Sequence, residues 1–140
     1  MSIKVSGNSM KPSLHGGDAV QLTSLVGTAP RIGDMILFCD SQGNPLLHRL
    51  VRRYCYKGDI WLQAKGDACV GFDEMVPLSQ VLGRVRQIIC HSDGEPKKIK
   101  NLESPFMRLN ALIIVGSSWI FYYLRRLKTV LKKRVASNFF

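Results

Sequence analysis

Ser6-Gly7-Asn8-Ser9-Met10-Lys11-Pro12-Ser13-Leu14 decides the reading of this chain: a tight polar turn set directly ahead of the first residues with strand character. Ser9 reads as a nucleophile. A serine hydroxyl is weak at neutral pH, so that role needs an exposed serine on a turn, backbone N–H groups nearby and a base. Gly7 and Asn8 tolerate the positive φ angles such a turn uses, and Pro12 keeps a helix from starting at Ser9. An ordinary loop is the competing reading, because Ser, Gly, Asn and Pro are what loops are made of.

Working outward, His15-Gly16-Gly17-Asp18 turns into a strand at 19–23, and Arg31-Ile32-Gly33-Asp34 repeats the pattern into 35–39. Gly-Asp recurs at 58–59 and 66–67. The first three pairs are read as turn punctuation before strands. Ser41-Gln42-Gly43-Asn44 is a hairpin loop, 46–56 a bent or bulged strand, and 60–65 its return after Lys57-Gly58-Asp59. Over 81–89, Val81, Val85 and Ile89 fall on one face and Arg84 and Arg86 on the other, as in a half-exposed strand. These segments predict a mainly β domain over 1–92, followed by a polar linker at 93–104 centred on Gly94 to Lys98.

The net charge is +10, but residues 1–96 hold ten Lys/Arg against nine Asp/Glu, whereas 97–140 hold ten against Glu103 alone. The excess belongs to the tail. There it flanks an apolar run, which points to a lipid surface as partner and away from nucleic acid. Within the expected helix at 105–135, the uninterrupted apolar part, 111–124, would rise only about 21 Å, against a hydrocarbon core of about 30 Å. Asn110, Ser117 and Ser118 form a polar seam, and Trp119, Tyr122 and Tyr123 suit the headgroup level. Beyond it, Leu124, Leu127, Leu131 and Val135 lie near one face, with Arg125, Lys128, Lys132 and Lys133 largely elsewhere, as in a basic amphipathic helix. A helix lying in the interface, one spanning it, and one packed on the domain all satisfy this pattern, so the side of the membrane facing the β domain stays open.

Cys39, Cys55, Cys69 and Cys90 form no Cys-x-x-Cys pair, so neither zinc nor another cofactor is expected. Four thiols or two disulfides both fit.

The serine box, with Met after the serine, Pro two residues further on and Gly17-Asp18 beyond, resembles the nucleophile box of the signal peptidase I family. It is more distantly similar to that of the LexA-type self-cleaving repressors. The order that follows, Gly-Asp-Met-Ile-Leu-Phe, a His-Arg strand, Lys-Gly-Asp and Gly-Arg-Val, is similar to the signal peptidase core along roughly residues 3–90. Where bacterial members carry a lysine base, this chain has His48 in His48-Arg49-Leu50-Val51, which looks like the endoplasmic-reticulum and archaeal branch. An imidazole titrates near neutrality and needs no burial to act as a base. His15, in a turn, and His91, at the start of the linker, are poorer candidates. On its own, His48 would read as a packed core histidine.

The resemblance also points to Asp67 and Asp73 as the two aspartates of the His-type enzymes. Asp67 stands in the better-matched motif, Asp73 is placed ahead as the partner that orients His48, and whichever does not do so is structural. The N–H of Ser9 and the backbone or side-chain amide of Asn8 are the nearest oxyanion donors. Gly7 stands where many bacterial members carry a serine, so that hydroxyl is missing. No signal or anchor precedes the box, unlike most membrane-bound signal peptidases.

The expected activity is therefore a serine endopeptidase cutting signal or leader peptides from precursor proteins at a membrane, the extended substrate pairing along an exposed strand edge. A maturation protease for one small precursor on the cytosolic side is an alternative, as is a non-catalytic, membrane-tethered peptide-binding module. A LexA-like repressor fits least, with no helix-turn-helix ahead of Ser9 and no lysine base.

Overall fold

The computed structural model describes residues 1–92 and 95–137. Its eight described strands form one antiparallel sheet: β1 (Ser2–Lys4), β2 (Ala19–Thr23), β3 (Met35–Cys39), β4 (Pro45–Tyr56), β5 (Asp59–Lys65), β6 (Met75–Pro77), β7 (Val81–Ser92) and β8 (Glu95–Asn101). They run in the order β1-β2-β7-β3-β4-β5-β6, with β8 on β7. β7 is the branch point. Its first residues pair with β3, its middle with β2 and its last half with β8.

Met-Ile-Leu-Phe-Cys is apolar throughout because β3 is covered on both faces. Met35 joins a core of Met10, Leu14, Val20, Val85 and Ile88. Its neighbours Ile36 and Phe38 join a second, with Leu50, Leu62, Ala64 and Val76. β4 and β5 meet at Lys57-Gly58, both with positive φ (50° and 83°), the backbone a two-residue hairpin with the strands' own twist requires. One extra residue, Val51, interrupts the β4–β5 ladder between the Leu50–Ala64 and Arg52–Gln63 pairs. This is the bulge expected within 46–56.

Two expectations are corrected. The linker is a strand: residues 95–101 pair with β7, while 93 and 94 lie outside the described residues. In β7, Ile88 and not Ile89 enters the core, because Arg86 is skipped in the ladder with β2 and every side chain beyond it changes face.

The C-terminal segment is one continuous helix, α1 (Pro105–Ser137). Its 30 residues Pro105–Arg134 are long and apolar enough to cross a membrane. At 1.5 Å per residue they rise about 45 Å, of which the apolar part at 111–124 supplies about 21 Å. The seam of Asn110, Ser117 and Ser118 faces clefts against the β domain, while Leu109, Leu112, Ile113, Ile120, Phe121 and Leu124 are exposed. Val135 falls outside the residues whose side chains are described.

α1 is rooted by Arg108, whose Nη1 lies 3.4 Å from Asp34 Oδ1, and by Ala111, whose Cβ would stand 3.2 Å from a side chain at Gly33. Higher up, Trp119 and Tyr122 pack on Phe72 with ring centroids 4.8 and 5.1 Å away, and the Arg52 guanidinium caps Trp119 at 4.1 Å.

Candidate active site

The serine box folds as an irregular turn, with Leu14 N–H donating to the Met10 carbonyl at 2.9 Å and the Lys11–Pro12 peptide cis. Met10 and Leu14, four residues apart, plug the first core at 3% and 1% exposure. Ser9 and Ser13, at the same spacing, are thereby held toward the segment that follows β5. Gly7 has φ +92° and allows the chain to enter this turn, whereas Asn8 needs no positive φ.

Ser9 Oγ lies 3.0 Å from His48 Nε2, and His48 Nδ1 lies 2.6 Å from Asp73 Oδ2. With the proton on Nδ1, the imidazole donates to Asp73 and Nε2 is left to accept from the Ser9 hydroxyl. The ring is buried in the middle of β4 and stands in a T-shaped arrangement with Phe38, centroids 6.4 Å apart. Asp73 is anchored through its own backbone: its N–H donates to the Ala64 carbonyl at 2.9 Å, and its carbonyl accepts from Gln63 Nε2 at 3.1 Å. Three segments far apart in sequence thus supply one unbroken chain of hydrogen bonds.

Asp67 does not reach His48 in this arrangement. Its carboxylate receives Arg49 Nε at 2.8 Å and Nη2 at 2.7 Å, a bidentate pair, and also accepts from Ser13 Oγ at 2.5 Å. Both charges are almost completely buried, with side chains 5% and 3% exposed. Arg49 Nη1 donates further to the Gly33 carbonyl at 2.9 Å. Arg49 and His48 leave opposite faces of β4, so one strand serves the ion pair on one side and the imidazole on the other.

The serine turn is also tied directly to the segment carrying both aspartates, through Ala68 N–H to the Ser9 carbonyl at 2.8 Å. Gly66 lies beneath this junction, where a Cβ would meet Cys69 Sγ at 2.6 Å, the Ser9 carbonyl at 2.8 Å and His48 Nε2 at 3.2 Å. Unlike Gly17, Gly33 and Gly58 of the other Gly-Asp pairs, which have positive φ, Gly66 is needed for close approach.

The N–H groups of Asn8 and Ser9 have no hydrogen-bond partner among the described residues, which leaves both free for an oxyanion. His15 and His91 lie elsewhere, their backbone N–H groups both donating to buried Asp18. The four cysteines are free thiols. Among the described residues no three His, Cys, Asp or Glu side chains converge on a point that would hold a metal ion.

Ser13, Arg49 and Gly66 are the participants that reading the sequence for chemistry missed. The repeat of serine at a spacing of four within the box is the one signal that pointed to Ser13. Chemically, the arrangement can take a proton from the Ser9 hydroxyl and stabilise the imidazolium that results. Compared with known proteins, the chain matches no protein-family model and no curated protein.

Proposed function

We propose that the chain is a serine endopeptidase of the signal peptidase type, releasing a leader or signal segment from a precursor protein at a membrane. The observation that carries this reading is the Asp73–His48–Ser9 chain, with spacings of 2.6 and 3.0 Å. Ser9 Oγ attacks the scissile carbonyl carbon as its proton passes to His48 Nε2, and the N–H groups of Ser9 and Asn8 receive the oxyanion. Collapse of the tetrahedral species breaks the C–N bond, with the imidazolium returning its proton to the departing amine. Water, deprotonated by the same imidazole, then hydrolyses the acyl-enzyme. Asp73 stays ionised, holding the Nδ1–H tautomer and steadying the imidazolium.

The membrane enters through α1. It is long and apolar enough to cross a bilayer, and only 6% of its apolar window is buried within the molecule. A lipid phase is the environment in which that outer face loses its contact with water.

The test is incubation of the full chain, in neutral detergent, with precursors carrying signal peptides, followed by sequencing of the new N-termini. Cleavage after a small side chain by the wild type and not by Ser9→Ala is expected. No new terminus with any precursor, or the same terminus with Ser9→Ala, would overturn the reading.

A further inference from the structure

Lys65, the last residue of β5, is 7% exposed, yet Nζ has only neutral partners: the Gly66 carbonyl at 3.3 Å and Ser118 Oγ at 3.4 Å. Both contacts are long. Among the described residues no carboxylate pairs with this ammonium, and the nearest one along the chain, Asp67, is saturated by Arg49 and Ser13. A charge withdrawn from water is tolerated when an opposite charge meets it, and here the protein supplies none.

Lys65 lines a cleft of about 310 Å³ between the segment after β5 and α1, together with Cys69, Ser118, Tyr122, Arg125 and Asp67, whose carboxylate is already held by Arg49 and Ser13. A second cation thus borders the space into which the first faces. The surroundings of this cleft along α1 point to its occupant. It opens where the exposed apolar run ending at Leu124 gives way to the basic run beginning at Arg125, beside Trp119, Tyr122 and Tyr123. An apolar-to-basic boundary ringed by aromatic side chains is where lipid headgroups lie against a membrane helix.

We infer that this cleft binds the phosphate of an anionic phospholipid. The Arg125 guanidinium engages the phosphate oxygens from the outer side, and Lys65 supplies a point charge from within, its ammonium held in place by Ser118. The acyl chains follow the exposed face of Ile113, Ile120 and Phe121. The inference rests on the membrane seat of α1 but not on Ser9 being a nucleophile.

The test is native mass spectrometry of the full chain released from neutral detergent, titrated with dihexanoyl phosphatidylglycerol, with dihexanoylglycerol, which lacks phosphate, and with inorganic phosphate. The phosphatidylglycerol should give a saturable one-to-one complex, roughly tenfold or more weaker in Lys65→Met and in Arg125→Gln, and little changed in Lys133→Met. Arg125 is exposed, so Arg125→Gln keeps the test valid should Lys65→Met fail to fold. Equal affinity in Arg125→Gln and wild type, or equal binding of dihexanoylglycerol, would overturn the site. Inorganic phosphate binding as tightly as the lipid would overturn the lipid as its source. Flotation of the wild type with phosphatidylglycerol vesicles reads the membrane seat separately: failure to float removes that reading, whereas flotation without the one-to-one complex removes only the cleft.

Discussion

A side chain at Gly66 would stand 3.2 Å from His48 Nε2, so the bare backbone of this glycine is the floor on which the imidazole rests. Because a Cβ there would also press on the Ser9 carbonyl and Cys69 Sγ, Gly66→Ala must push apart the two segments that meet above it. Overpacking of this kind costs about 1–3 kcal/mol. Cleavage should fall roughly 100-fold, since small misplacements of reacting groups are that expensive, while circular dichroism still reports the β fold. Undiminished activity in Gly66→Ala would contradict the geometry.

Ser9→Ala and His48→Ala should each lower cleavage of a precursor by about 10⁴-fold or more, and combining them should cost little beyond either alone, because the two groups act as one unit. His48→Lys should be equally feeble. A lysine at this place would need to be neutral, and the carboxylate of Asp73, 2.6 Å from the present ring, favours its charged form. Measured kcat/KM for the single and double variants checks both statements.

The two aspartates should separate cleanly by phenotype. Asp73→Asn is expected to lower kcat by about 10³–10⁴-fold with little change in the unfolding midpoint, because the amide favours the wrong imidazole tautomer. Asp67→Asn removes the partner of a buried Arg49 guanidinium and should destabilise the fold by about 3–5 kcal/mol, measured by denaturant unfolding. If Asp67→Asn were as stable as the wild type while losing turnover, the structural role given to Asp67 would be wrong.

Phe72, one residue before Asp73, is gripped by Trp119 and Tyr122 of α1. Trp119→Ala should therefore slacken the orienting carboxylate and reduce kcat by roughly tenfold with KM little changed, whereas Trp119→Phe should restore most of the loss. Ile120→Ala, on the exposed side of the same helix, controls for general effects.

Asp40 tests the turn between β3 and β4. Its carboxyl is held below the ordinary value of 3.8, chiefly by the hydrogen bond from the Asn44 side chain and next by that from the Asn44 backbone N–H. A lowered folded-state pKa means that this carboxylate favours the folded turn above pH 3.8, and that the contribution fades as pH falls through the folded value. NMR titration of the Asp40 carboxyl carbon should give a midpoint below 3.8 in the wild type and closer to it in Asn44→Ala.

The long strands are legible in the sequence because each joins apolar residues to a turn whose chemistry is local. Those at 19–23 and 35–39 follow Gly-Asp pairs, and the β4–β5 hairpin has Lys57-Gly58 at its tip. β1 and β6 are three residues long, too short for any alternation to register. β8 is polar, contains Pro96 and leaves Ile99 exposed, so its extended form comes from pairing with β7 and not from its own residues.

At the candidate site, Ser9 and His48 stand out because their surroundings are unusual. The duties of Asp67 and Asp73 are not separable in one dimension, since both are carboxylates following β5 and only the third dimension gives Arg49 to one of them. Gly66 is hidden for a similar reason. A glycine required for close approach is spelled the same way as one required for a turn.

The groups brought together at His48 come from positions 9, 48 and 73, and the ring that braces the last of them from position 119. A polypeptide still emerging from the ribosome therefore holds no oriented imidazole until β5 and the residues after it have been made. The Trp119 brace follows only when most of α1 exists. The order of synthesis thus delays the hydrogen-bonded chain from Ser9 to Asp73 until β5 is complete, and its bracing until α1 follows.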